Sequence, residues 1–286
     1  MITKALFDLP FLAKSKPGTS PLISAWADQV VTNGGTRPTA PTIALRDSVN
    51  SSIVSAGLDS KVLTWNLFAT EDSSLIAACT PQKPGPASVF WNPVTGGGLD
   101  GNRGIAFSGV PNYIDTGFNP TTAYSNDTSS GFILYKYTPF NDNTEGDAGV
   151  VDFGANTAFV LIFSQSGASY FEANSVFSGT YASASNASWA GWLSGQRTAN
   201  NSNSLYKANS GVAHTSINTN TTVETGVRAN GNVWLGNIHQ LPSTPGNISD
   251  GGFSFMAFTL GLTSSEDAAL FSIIQAALVS KGGGSV

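Results

Sequence analysis

Residues 101–140, GNRGIAFSGVPNYIDTGFNPTTAYSNDTSSGFILYKYTPF, decide how this chain is read. Ile105 and Phe107 alternate with small residues, Val110-Pro111-Asn112 is turn chemistry, and residues 113–118 resume an extended pattern. After a polar loop, Phe132, Leu134 and Tyr135 mark a third extended run. β-Branched and aromatic residues fit a pleated, half-buried surface, and Gly, Pro, Asn and Asp supply the turns between such runs. The stretch predicts strand, turn, strand, loop, strand. Its first two strands would form the opening hairpin of a sandwich on which the others pack.

Downstream the pattern repeats. Residues 148–153, 158–163 and 169–173 read as strands. Residues 191–198 and 202–208 read as a pair, 212–218 and 232–236 as further strands, and 241–252 as a long loop. Residues 252–260, GFSFMAFTL, are the most apolar run and are expected at the centre of a sheet. The closing segment is helical. Thr263 and Glu266 form a T-x-x-E capping box, and Leu270, Ile273, Ile274, Ala277 and Leu278 make one stripe.

Upstream the chain is richer in helix. Ser20-Pro21 is an N-cap followed by a proline that the first helical position tolerates, and Leu22, Trp26 and Val30 fall on one face. A second helix is expected over 42–56, a strand over 61–68 and a short helix over 72–79. Prolines and glycines then crowd residues 80–100. The expected organisation is an extended arm over 1–20, an α-rich region over 21–95 and a β-sandwich over 96–286. The arm carries Leu6, Phe7, Leu9, Phe11 and Leu12, too apolar for a free tail. It either docks on a neighbouring subunit or folds back on its own chain, and the second reading is preferred.

Composition narrows the function. Of 286 residues only 11% are charged, against roughly 25% in an ordinary soluble domain, and the net charge is −5. No basic cluster offers a footprint for nucleic acid. No apolar run reaches the ~18–20 residues of a membrane span, and the first residues lack the core of a secretory signal. The single cysteine, Cys79, sits in an apolar run and reads as a small hydrophobe. His214 and His239 are isolated and read as surface or satisfied residues.

The order of elements resembles the concanavalin A-like (laminin-G-like) jelly roll. The matching pieces are Ala106-Phe107-Ser108-Gly109, Tyr113-Ile114-Asp115-Thr116-Gly117, Arg197-Thr198 with Leu205-Tyr206-Lys207, and the Phe258–Asp267 closing run. Trp26, Asn33-Gly34-Gly35-Thr36 and Trp65-Asn66-Leu67-Phe68 are similar to a region that precedes this jelly roll in tailed-phage and prophage structural proteins. The resemblance implies a mainly β chain: a two-sheet antiparallel jelly-roll sandwich with a small α-rich N-terminal region and a short C-terminal helix. It also implies a virion protein in capsid decoration, neck or tail. Its partners would be other virion proteins, in a homo-oligomer or a capsid or tail lattice, and host-surface glycans.

Chemistry is sparse. Glucanases of the same jelly roll carry an E-x-D-x-x-E type motif, whose period-2 spacing puts two carboxylates on one strand face. Here the five glutamates are scattered, and Glu145-Gly146-Asp147 is the nearest approach. There is no G-x-S-x-G elbow, H-E-x-x-H or Walker loop. The expectation is therefore a protein without enzymatic activity and without a cofactor. Calcium has candidate ligands in Asp142, Asp147 and Asp152, which lack the compact spacing of a calcium loop. Glycan contact needs exposed aromatic faces, and Trp189, Trp192, Trp234 and Tyr113 are the candidates, with core packing as the competing role of each. A carbohydrate-binding module without a structural role is the alternative to the virion reading. A glycan hydrolase is a third, and it needs an acidic pair the sequence does not display.

Overall fold

The computed structural model describes residues 18–69, 74–94, 98–100, 103–107, 112–126, 128–140, 146–165, 167–176, 181–185, 189–223, 228–242, 244–249 and 251–281. The chain begins with helices α1 (Pro21–Thr32) and α2 (Ala40–Ser55), strand β1 (Val62–Leu67) and the short helix α3 (Leu75–Cys79). Short strands follow: β2 (Asn92–Val94), β3 (Gly98–Asp100), β4 (Gly104–Ala106) and β5 (Tyr113–Asp115), then α4 (Pro120–Ala123). The body comprises β6 (Ser130–Phe140), β7 (Ala148–Asp152), β8 (Thr157–Gln165), β9 (Ala168–Val176), β10 (Ala182–Ser185), β11 (Trp189–Ala199), β12 (Ser202–Asn209) and β13 (Val212–Asn220). It ends with β14 (Trp234–Leu235), β15 (Asn237–Leu241), β16 (Thr244–Ile248), β17 (Gly252–Thr259) and helix α5 (Ser264–Ser280).

These strands form two sheets. The first runs β13-β12-β11-β6-β17-β4-β3, with β1 also paired to β17. The second runs β10-β9-β8-β7-β14-β5-β2, with β15 on β7 and β16 on β15. The pairings are antiparallel except β15 with β7. The expected two-sheet antiparallel sandwich, with helices near the N-terminus and one at the C-terminal end, is what the chain forms. The opening hairpin is not. β4 joins the first sheet through Ile105 opposite Phe253, whereas β5 joins the second through Ile114 opposite Leu235. Phe253 and Leu235 lie more than a hundred residues further along, so the local turn signal could not reveal that the chain crosses between sheets. The loop expected over 241–252 contains β16, and its partner β15 comes just before it.

Period-2 alternation explains the layers. In β17, Met256 and Phe258 enter the core between the sheets, while Phe255 and Ala257 point the other way. In β6, Phe132 and Leu134 face inward and Ile133 and Tyr135 outward. A sheet apolar on both faces needs a cover on each. The second sheet supplies one through Phe159, Leu161, Phe163 and Phe171. The helices supply the other, with Ile23, Trp26 and Val30 of α1, Val49 and Ile53 of α2, and Leu270 and Ile274 of α5. Between the sheets the Phe258 ring stacks on Phe118 at 3.8 Å and lies 4.9 Å from Phe132.

The helix ends follow the expected chemistry. Ser20 Oγ accepts from Ile23 N, and the Thr263–Glu266 capping box is complete. The next residue, Asp267, is fully buried. It accepts from Trp192 Nε1 at 2.8 Å, Gln196 Nε2 at 3.1 Å and the Ser194 hydroxyl, and lies 2.8 Å from His214 Nε2. One carboxylate thus ties α5 to β11 and β13. Arg46 does the same for α2: its guanidinium lies over Trp26 and donates to the Leu67 and Ala69 carbonyls at 3.0 and 2.8 Å. Among the described residues, no helix is long and apolar enough to cross a membrane.

Two predictions follow from this packing. Asp267→Ala strands the Trp192, Gln196 and Ser194 donors, so urea denaturation is expected to show a loss of about 3 kcal/mol. The second concerns alkaline pH. Burial pushes the Cys79 thiol up to about 12, Tyr135 up to about 12 against a Gln275 hydrogen bond, and Tyr124 well above the usual phenol range. Below pH ~8.5 these groups are protonated folded or unfolded and contribute no pH dependence. Above it the unfolded thiol, and from pH ~10 the unfolded phenols, release protons the folded chain retains. Stability therefore falls as pH rises, by up to about 1.4 kcal/mol per unit and group. Denaturation midpoints measured from pH 7 to 11 should decline, with the drop steepening near pH 10.

Candidate functional site: an aromatic stack on the second sheet

Tyr113 precedes Ile114, and Trp234 precedes Leu235; both aliphatic residues lie in the core between the sheets. Alternation therefore sends Tyr113 and Trp234 to the outer side of the second sheet. β5 and β14 pair there, with Trp234 opposite Asp115. The two rings stack at 3.9 Å with 17° between their planes. His239 closes on the other face of Trp234 at 3.8 Å and 4°. The result is a three-ring stack, Tyr113–Trp234–His239.

Gly236 makes the stack possible. It turns the chain between β14 and β15 at φ +82°, a conformation that favours glycine. A Cβ there would sit 3.0 Å from the Phe107 ring. Its N–H donates to the Asp147 carbonyl at 2.7 Å, and its carbonyl accepts from Ser249 N at 3.0 Å. Polar groups rim the stack. His239 Nδ1 lies 2.9 Å from the Asn232 carbonyl, and Asn232 Nδ2 donates to Asp115 Oδ2 at 3.3 Å. Asp115 Oδ1 accepts from Gly117 N at 2.9 Å. Tyr113, Asp115, Asn232 and His239 are half-buried, whereas Trp234, the middle ring, is only 7% exposed. Partial burial, reinforced by the Asp115 charge, holds the Tyr113 hydroxyl above the ordinary phenol range. It remains a neutral donor and acceptor at physiological pH.

The four aromatic candidates thus separate. Tyr113 and Trp234 come together, and His239, which the sequence left isolated, joins them. Nothing in the sequence signals this, because the contact depends on the reversal at Gly236. Trp192 belongs to the core: it stacks on Phe255 at 5.8 Å and bonds Asp267. Trp189 lies apart on β11, half-buried, with Lys207 Nζ 4.5 Å above its ring.

The acidic candidates also separate. Asp147 is fully buried: Lys136 Nζ lies 2.7 Å from its Oδ1, Ser249 donates to Oδ1 at 3.0 Å, and Phe163 N donates to Oδ2 at 2.6 Å. Asp152 accepts from Ala155 N at 3.0 Å in a turn. Asp142 and Glu145 lie outside the described residues. Among the described residues, no group of three or more His, Cys, Asp or Glu side chains is placed to hold a metal ion.

No protein-family model matches the chain, and neither does any curated protein. Solved structures do. Domain 4 of a GH43 extracellular arabinanase from Geobacillus stearothermophilus, in complex with arabinotriose, is 14% identical with a TM-score of 0.37. The match covers 73% of this chain and 98% of that one. A GH54 α-L-arabinofuranosidase is 17% identical, TM-score 0.41, covering 68% of this chain and 46% of that one. A Trypanosoma rangeli sialidase in complex with 2,3-difluorosialic acid is 10% identical, TM-score 0.44, covering 82% and 40%. The chain spans less than half the length of the latter two. At these scores the likeness assigns neither activity nor substrate to this chain.

One expectation is nevertheless corrected. The chain was expected to lack enzymatic activity, yet the structures it resembles include glycoside hydrolases, two of them caught with substrate or inhibitor analogues. The exclusion rested on missing local motifs, namely a carboxylate pair, a nucleophile elbow, a zinc-binding helix motif and a phosphate loop, whereas catalytic side chains converge in space from separate elements. It does not stand.

Gly236→Ala tests how the stack is built. A Cβ at positive φ is expected to cost about 1–2 kcal/mol and to loosen the Trp234–His239 contact. A lowered thermal midpoint with altered tryptophan fluorescence would show it.

Proposed function

We propose that this sandwich contacts glycans through the Tyr113–Trp234–His239 stack. One observation carries the reading: three stacked rings, Tyr113, Trp234 and His239, rimmed by the Asp115 carboxylate and the Asn232 amide, with Tyr113 and Trp234 on the outer side of the second sheet. A pyranose presents an apolar C–H face and a rim of hydroxyls. Its recognition calls for a flat ring beside a few fixed polar groups. In this reading Tyr113 and His239 meet the sugar, and Trp234 positions both from between them. Asp115 and Asn232 address the hydroxyls. Trp192 provides no surface, and Trp189, with Lys207 of β12 over its ring, lies apart on β11.

A glycan array probed with the purified chain tests the proposal. Binding should fall at least about tenfold in Tyr113→Ala, a loss of about 1.4 kcal/mol, and persist in Trp189→Ala. A flat array, or binding indifferent to Tyr113→Ala and His239→Ala, overturns it. Release of reducing ends from any glycan bound would reveal catalysis directly.

The virion reading, the concanavalin A-like identification and the assembly partners rest on the sequence resemblance. They are compatible with glycan contact, since a particle component can meet a host surface. Quantitative mass spectrometry of purified particles should find this chain at a symmetry-compatible copy number, and its absence would overturn that placement.

A further inference from the structure

The outermost strand of a sheet carries free N–H and C=O groups that can pair with another chain, and proteins blunt such edges with short length, proline or charge. Most edges of this sandwich are blunted so. β2 and β3 are three residues long, β10 is four, and β16 carries Pro245. Pro93 also sits in β2, and the Asp100–Arg103 pair puts charge on β3. β13 is different. It ends the first sheet beyond β12, runs nine residues and contains no Pro, Asp, Glu, Lys or Arg. Among the described residues, no backbone group pairs with its outer side. What reaches other layers is side chain: His214 on Asp267, and Asn220 Nδ2 donating to the Tyr181 carbonyl at 3.2 Å. Val212 at its start and Val223 just past its end are exposed at 38% and 67%.

We propose that β13 pairs antiparallel with β13 of a second copy of this chain, joining two first sheets edge to edge. Unpaired backbone donors and acceptors along a strand call for another extended strand. The edge is uncharged, so a charged peptide gains nothing there, and an identical edge meets no like charge. The register supports self-pairing. Tyr206 faces Ser216 and Leu205 faces Asn218, which makes Ile217 an extra residue, packed against the core between the sheets. Ser216 and Thr219 lie opposite Tyr206 and Ser204, two positions apart on β12, so they share one face of the sheet. Thr215 and Asn220 lie opposite Lys207 and Asn203, and they share the other face. A two-fold axis between Ile217 and Asn218 sets Ser216 of each copy opposite Thr219 of the other, and Thr215 opposite Asn220. Both pairs fall on a common face, and their hydroxyl and amide groups can hydrogen-bond across the strands. The same axis carries Val212 of one copy towards Val223 of the other, covering the exposed valine at each end. With one open edge per chain, the assembly closes at two copies. The contact lies on the first sheet, away from the Tyr113–Trp234–His239 stack, and is independent of the glycan reading.

Sedimentation equilibrium of the full chain over a concentration series tests the proposal and should show a monomer–dimer equilibrium. Ser216→Lys and Thr219→Glu, both at exposed positions, each put a charge on the edge. Each should weaken the dimer at least about tenfold with the circular dichroism spectrum unchanged. Mixing the two variants should restore dimers, because the new lysine of one chain meets the new glutamate of the other. Thr215→Lys with Asn220→Glu serves as the second pair should either variant of the first fail to fold. A chain monomeric at every concentration, dimers indifferent to these charges, mixtures no tighter than the separate variants, or open polymers overturn the proposal.

Discussion

Strand β17 has no polar face, and most of the architecture answers that constraint. All eight of its residues are buried. Met256 and Phe258 need the second sheet, while Phe255 and Ala257 need the helices. Each large side chain so covered contributes about 1.5–3 kcal/mol, and neither layer alone could cover both faces. β17 also holds β6 on one edge and β4 and β1 on the other, so segments from both ends of the chain meet on it. The helical layer and the sandwich therefore stabilise one another through a single sheet.

Apolar burial does not fix orientation by itself; a few buried polar groups do. Asp267 accepts from β11 and meets His214 of β13, which sets α5 at one position on the sheet. Arg46 sets α2 against the end of β1. Lys136 and Asp147 link β6 to the segment entering β7. Removing either partner of such a pair leaves the other buried and unsatisfied, so these contacts are costly to break whatever their net worth when intact. The same reasoning explains why Asp147 is no surface acid: both of its oxygens already accept hydrogen bonds.

With the first sheet enclosed by helices, the second sheet carries the aromatic stack. Its rings are ordered by backbone, since β5 and β14 set Tyr113 beside Trp234 and Gly236 folds His239 back onto them. Preorganised rings cost little entropy on binding, which is the physical attraction of such a patch as a recognition surface. A groove between α2 and α5, lined by Leu45, Val49, Ile273 and Ala276, is a different kind of surface, apolar and neutral.

The sequence alone determined much that is local. The Ser20 cap, the Thr263–Glu266 box, the β11–β12 pair and the central, apolar character of residues 252–260 follow from neighbours a few positions apart. Capping, turn chemistry and periodicity are short-range effects. What only the tertiary structure decided depends on partners far along the chain. It assigned β4 and β5 to different sheets and put Trp192 in the core beneath α5. It made Asp267 a buried acceptor where the sequence shows only another acid in a first helical turn, and it brought His239 against Trp234. Each outcome turns on which residue arrives opposite another from tens to hundreds of positions away, and no spacing within either segment encodes that arrival.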